Sequence, residues 1–318
     1  MSDERPQRPT GPGMPAVSDG PRRIRLHSGG HALAGYLYPP DGWSPGDADR
    51  PCVVILQGYS GLRHVYGLEL PRVIAAHGWW AITFDHRGFG RSGGPRGRVR
   101  PQEQAEDVVN ILDYVTTLPG VDADRVALHG SSFGAANALY VAALDERVRA
   151  LVSCVGVHDC PRWMESLHGP DRWAEIVAAV REAAAREVRD GTQTWWYYPD
   201  IVPGDAQAKE IAERYRYADD PLYVDHYDLG SVAALLTYRP LQLAHLLGDR
   251  PVLVINAELD AVVPPSEASA LLDALTGPKE ALTLKGAHHY DAYHFVNPDQ
   301  AQLAATTALD FLDRAFNA

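Results

Sequence analysis

Apolar residues fall in two rhythms along this chain. Nearly continuous apolar runs recur at CVVILQ (52–57), WAITFD (80–85), RVALHG (125–130), ALVSCVGV (150–157), VLVINA (252–257) and ALTLKG (281–286). Runs of that length without polar alternation suit strands covered on both faces. Between them the apolar positions take a helical spacing. Ala105, Val108, Val109, Leu112 and Val115 share one face of QEQAEDVVNILDYV, and Ala304, Ala308, Phe311, Leu312 and Ala315 share one near the C-terminus. Strands alternating with helices predict an α/β fold, a mostly parallel central sheet flanked by helices on both sides. Ahead of them, RIRLHS and HALAGYLY flank Gly29-Gly30, which predicts an antiparallel opening hairpin.

The alternation stops between about His158 and Asp249. Residues 158–249 carry the helical stretches DRWAEIVAAVREAAAREV, DAQAKEIAERY and SVAALL. They are crowded with aromatics: Trp163, Trp173, the run Trp195 to Tyr198, Tyr215, Tyr217, Tyr223, Tyr227 and Tyr238. An insertion this long after a core strand predicts a helical lid over the carboxyl edge of the sheet, where open α/β folds bind ligands. Most of these rings are expected to build the lid's own small core, and a subset to line a pocket for a bulky apolar or aromatic group. The expected organisation is a core of residues 21–157 and 250–318, a lid at 158–249, and a disordered tail at 1–20, which is polar and rich in proline and glycine.

Composition narrows the function classes. A chain of 318 residues can bury roughly 75% of the surface exposed when unfolded, and 46% hydrophobic with 22% charged residues is ordinary for a globular protein. The formal net charge of -12, with no basic run to offset it, argues against nucleic acid or an anionic membrane as partner and leaves a small-molecule substrate. Cys52, Cys154 and Cys160 are too few and too scattered for a disulfide framework or a zinc site, and read as buried thiols. No cofactor or metal is expected. With no secretion signal and no run of eighteen apolar residues, the expected location is the cytoplasm. Nothing in the spacing demands a homodimer, although an exposed apolar lid face would allow one.

Candidate chemistry centres on LHGSSFGAA, residues 128–136. A nucleophilic serine on a sharp strand-to-helix turn needs small residues two positions before and after it. Ser132 has Gly130 and Gly134 there; Ser131 has His129 and Phe133 and reads as a bystander. Such a serine needs an imidazole to take its proton and a carboxylate to fix that imidazole's tautomer, each on a loop after a later strand. Asp260 follows VLVINA, and His288 and His289 follow ALTLKG, so the chain order serine, acid, histidine is met. The Phe133 amide, next after the nucleophile, is the first expected oxyanion donor. Asp85, His86 and Arg87 are expected to shape a glycine-rich loop, and His158 and His294 to be ordinary loop residues.

Together FDHRGFGRSGG, LPGVDADRVALHGSSFGAA, ELDAVVP and GAHHYD resemble the α/β-hydrolase superfamily, in the branch of dienelactone hydrolase-like enzymes and X-prolyl dipeptidyl peptidase-like esterases. The likeness covers roughly residues 51–157 and 250–316; the lid resembles nothing we can place. It implies an α/β-hydrolase fold and a serine hydrolase acting on a carboxylic ester, lactone or thioester. In that branch the histidine precedes an aromatic and an acid, which points to His289 before Tyr290-Asp291 rather than to His288. The stretch QGYSG resembles the branch's His-Gly-x, making the Tyr59 amide the second oxyanion donor, with Gln57 in place of histidine; Gly134-Ala135 likewise replaces the commoner Gly-Gly. Rivals within this chemistry are carbon-carbon bond hydrolysis, acyl transfer in a biosynthetic pathway, and an X-prolyl-type peptidase using Glu165, Glu175 or Asp219-Asp220 to bind an amine. A non-catalytic receptor on this fold is the rival from another class. Dehalogenase action is disfavoured because Ser132 stands where that chemistry needs aspartate.

Overall fold

The computed structural model describes residues 20–59, 69–214 and 221–317. The tail to residue 19, and Tyr215, Tyr217, Asp219 and Asp220, lie outside the described residues.

Strands β1 (Arg22–Ser28) and β2 (His31–Tyr38) form the expected hairpin. Its turn has φ +52 at Gly29 and φ +78 at Gly30, positive at both central residues as a type I′ turn requires. The remaining strands are β3 (Arg50–Leu56), β4 (Trp80–Phe84), β5 (Val121–Ser131), β6 (Val148–Cys154), a short β7 (Trp195–Tyr197) and β8 (His226–Asp228), then β9 (Val252–Ala257) and β10 (Lys279–Leu284). Eight of them make one sheet in the order β1-β2-β4-β3-β5-β6-β9-β10, parallel from β4 onward. β7 and β8 form a separate antiparallel ribbon.

Side chains alternate across this sheet, as the pleat dictates. In β3, Cys52, Val54 and Leu56 pack toward α2 (Pro101–Val115) and α3 (Phe133–Leu144), whereas Val53 and Ile55 pack toward α1 (Leu70–Ala76) and the C-terminal helix (Pro298–Asn317). Both faces are therefore covered, the reason the strands read as unbroken apolar runs. Helix α3, FGAANALYVAAL, is buried from Phe133 to Ala143 apart from Tyr140, and its glycine and alanines let it lie close against the strands.

Between β6 and β9 the chain forms α4 (Cys160–His168), α5 (Pro170–Asp190), α6 (Ala206–Arg214) and the β7–β8 ribbon. Their apolar side chains, among them Trp163, Trp173, Tyr227 and Tyr238, make a third cluster that also takes in Tyr59 and Val262 from loops and Phe133 from the start of α3. SVAALL departs from expectation. It is one α-helical turn, Leu229–Val232, running into a 3-10 segment, Ala233–Thr237, and Pro240 shortly beyond disfavours helical backbone at Arg239. The following 3-10 helix, Pro240–Leu247, buries Ala244 and Leu247 in the core on the α3 side. Among the described residues no helix is long and apolar enough to cross a membrane.

Candidate active site

At the end of β5 the chain turns sharply into α3, and Ser132 sits on that turn with φ 55 and ψ -125. A non-glycine residue there carries strain of about 1–3 kcal/mol, so its surroundings must hold it. They do so through both backbone groups: the Ser132 amide donates to the Cys154 carbonyl (2.9 Å), and the Val157 amide donates to the Ser132 carbonyl (3.1 Å). The flanking glycines are required by contact. A methyl on Gly130 would lie 2.5 Å from the Gly134 carbonyl oxygen, and one on Gly134 would lie 2.5 Å from the Leu56 and Gln57 carbonyl oxygens. Backbone cannot retreat as a side-chain tip can. Gly130→Ala is thus expected to destabilise the protein by about 1–3 kcal/mol, read as a melting temperature several degrees lower in a thermal scan; an unchanged midpoint would contradict the packing argument.

The paired serines separate by direction, not by exposure, since each is 8% exposed. Ser132 lines a cavity of about 30 Å³ shared with Gly58, Tyr59 and His289. Ser131 lines a different cavity of about 150 Å³, shared with Gln57, His129 and Cys154.

Asp260 lies three residues past β9. Its Oδ1 accepts from the Val262 and Val263 amides (2.9 and 2.6 Å), which turns the loop and aims Oδ2 at His289 Nδ1, 2.7 Å away. Both side chains are buried, at 1% and 2% exposure. A carboxylate can only accept, so the proton in that bond belongs to Nδ1, and Nε2 is left as the basic nitrogen. His288 is exposed, and its amide donates to Asp291 Oδ2 (2.7 Å). The insertion grips the same loop: Gln207 accepts from the Tyr290 amide (3.0 Å) and donates to Asp291 Oδ1 (3.2 Å). Nothing in the sequence singled out Gln207, because a glutamine on an amphipathic helix carries no signal until the helix is placed.

The backbone after β3 runs directly beside Ser132: a methyl on Gly58 would stand 3.3 Å from the serine Cβ. This brings Tyr59 to the cavity wall, and Gln57 is buried with its Nε2 donating to Thr83 Oγ1 (3.2 Å). Phe133 is the first residue of α3, and first-turn amides have no acceptor within their own helix. Trp163, Tyr198 and Val202 of the insertion, with Val262, Tyr290 and Tyr293, complete the cavity. Trp163 also donates from Nε1 to the Val262 carbonyl (2.8 Å), tying α4 to the loop that carries Asp260.

Arg87 has a structural setting. Its guanidinium donates to Asp107 Oδ1 (2.6 and 2.8 Å), Glu106 and Ser28, and the nearby His86 ring, 3.6 Å away, together with these Arg87 bonds outweighs burial to hold the Asp107 carboxyl below its ordinary range. His294 is exposed on its loop. His158 is not an ordinary loop residue. It is fully buried, with Nε2 2.8 Å from Ser153 Oγ and its amide donating to Glu267 Oε2 (2.9 Å), and burial lowers its pKa to about 4. The reason is the path after β6, which turns inward at Val155 (φ 43) to bracket Ser132 and draws His158 under the insertion. Sequence reading missed Glu267, which also takes the Asp159 amide (3.2 Å) and Arg162 Nε (2.5 Å). All three cysteines are buried, and burial, with the Asp260 charge adding, pushes Cys154 up to about 12. Glu165 and Glu175 are exposed, and among the described residues no carboxylate lines the cavity.

Three known proteins are similar over most of the chain. A thiohydrolase of Eupenicillium brefeldianum is 27% identical over 276 residues, 82% of this chain and 84% of that protein. The polyketide transferase claH of Penicillium crustosum is 27% identical over 274 residues, 82% of this chain and 87% of that protein. The solved structure of DcsB in complex with its substrate analogue superposes with a TM-score of 0.80 at 20% identity, covering 94% of this chain and all of that one, a likeness of fold. The sheet order, the strained turn before α3 and the loops after β9 and β10 fit what the family match states: through residues 47–290 the chain belongs to the α/β hydrolases of the Hydrolase_4 family, described as serine aminopeptidase, S33.

Proposed function

We propose that the protein is a serine hydrolase or acyltransferase that works through an acyl-enzyme, taking an ester or thioester of a small organic acid. Ser132 Oγ attacks the carbonyl carbon, His289 Nε2 takes the hydroxyl proton and returns it to the leaving oxygen or sulfur, and Asp260 keeps the proton on Nδ1 and stabilises the imidazolium. The amides of Phe133 and Tyr59 receive the oxyanion. Water or an acceptor alcohol then releases the acyl group by the same proton path in reverse.

The observation that carries this reading is the buried 2.7 Å contact between His289 Nδ1 and Asp260 Oδ2 opening on the cavity that holds the strained Ser132. Thioester chemistry is favoured by the similarity to a thiohydrolase, and acyl transfer by that to a polyketide transferase. Release of an amino-terminal residue needs a carboxylate for the free amine; of the candidates, Glu165 and Glu175 face solvent, and Asp219 and Asp220 lie outside the described residues. The aromatic insertion acts in this reading as a cap that excludes water around the acyl group.

Treatment with a fluorophosphonate, followed by peptide mass spectrometry, is expected to place one adduct per chain on Ser132. Labelling of Ser131 or of another residue would reject the scheme.

A further inference from the structure

The ring cluster at the cavity is not satisfied at all its polar ends: Tyr59 lines the cavity, and Tyr227 packs against Tyr59 without lining it. Tyr59 and Tyr227 stack with centroids 5.5 Å apart and planes 27° apart, and Tyr198 closes the group at 5.9 Å from Tyr59 and 5.3 Å from Tyr227. Phe133, Trp163 and Phe89 pack around them. Elsewhere in this cluster polar ends find partners: Trp163 Nε1 donates to the Val262 carbonyl (2.8 Å), and Tyr238 Oη donates to Asn137 Oδ1 (3.1 Å). The Tyr59 and Tyr227 hydroxyls have none among the described residues, although the residues are 5% and 0% exposed. Phenylalanine would stack as well at either position without burying a bare hydroxyl, so packing does not account for them.

Their environment defines what they would bind. Burial, with Tyr198 adding to it, raises the pKa of both hydroxyls well above the ordinary value, so they stay protonated and can donate. Both hydroxyls are neutral donors among buried rings, where desolvation penalises a charged group more than a neutral oxygen. Position follows from Tyr59 itself. Its backbone is next to Gly58, against Ser132, while its hydroxyl lies at the far end of the ring.

We propose that the Tyr59 and Tyr227 hydroxyls form a donor pair that reads a neutral oxygen, a ketone or hydroxyl, carried on the substrate's acyl chain several bonds from the scissile carbonyl. This rests on the acyl-enzyme reading above. The cavity beside Ser132, about 30 Å³, has the volume of one water, so an acyl chain is accommodated as the ring cluster shifts around it and brings its oxygen to these hydroxyls.

The test compares p-nitrophenyl hexanoate with its 4-oxo and 5-oxo analogues. At least one oxo ester should have the higher kcat/KM in the wild type, and Tyr227→Phe should reduce that preference about tenfold, the value of one hydrogen bond in a dry site. A ketone labelled with carbon-13, in a thioester bound to Ser132→Ala, should show a downfield resonance that moves back when Tyr227→Phe is added, a readout independent of turnover. Ser132-dependent turnover with no oxo preference, or with a preference that Tyr227→Phe leaves in place, would overturn the inference and spare the acyl-enzyme reading. Turnover that survives Ser132→Ala would remove both.

Discussion

Turnover of an activated ester or thioester should fall by about 10⁴–10⁶-fold in Ser132→Ala, with the circular dichroism spectrum and melting behaviour kept. The substitution removes one oxygen from a residue whose backbone is fixed at both ends by Cys154 and Val157. Alanine accepts the same strained φ no worse than serine does, so the turn stays in place. What is lost is the only atom in the scheme that bonds to carbon. The remaining rate would come from the oxyanion donors and from binding, which act on water as a poorer nucleophile. Ser131→Ala is the matched control: it makes the same change one residue away, on the opposite side of the strand, facing the other cavity. A comparable loss in both variants would mean that Ser131→Ala disturbs the turn, and loss in Ser131→Ala alone would transfer the nucleophile.

The parts legible in the sequence share one property: they are decided within a few residues. Gly130 and Gly134 had to be small because backbone meets backbone there, and a residue with a side chain could not have stood in either place. Asp260 stood out by its place just past an apolar strand, between the serine turn and the histidine loop in chain order, and in the fold its Oδ1 accepts from the Val262 and Val263 amides. The positions of the core strands followed from unbroken apolar runs. Decisions made across the fold were not legible. His158 looked like a loop residue because its partners, Ser153 and Glu267, lie one on a strand and one over a hundred residues away. Gln207 could be recognised only once its helix had been laid against the loop of His289. Which aromatics face the cavity and which face solvent was equally hidden: Trp163 is buried against the acid loop, whereas Trp195 is 45% exposed on the β7–β8 ribbon.

A second large effect is expected from a change of one atom. In Asp260→Asn the amide oxygen can go on accepting from Val262 and Val263, so the loop should hold, but the other end of the group becomes an NH₂ pointed at His289 Nδ1. A donor facing Nδ1 forces that nitrogen to accept, and the ring's proton moves to Nε2. The nitrogen that should take the Ser132 proton is then already occupied. The expected loss in kcat is about 10⁴-fold at neutral pH, with little change in the affinity for a non-reactive substrate analogue. His289→Ala should lose at least as much, while His288→Ala, which alters an exposed side chain, should stay within a few fold of the wild type. The double variant Asp260→Asn, His289→Ala should be no slower than His289→Ala alone, because an acid that acts only by orienting an imidazole has nothing left to orient. Additive losses in that pair would show Asp260 contributing by a route that does not pass through His289, and would break the proton path proposed for this site.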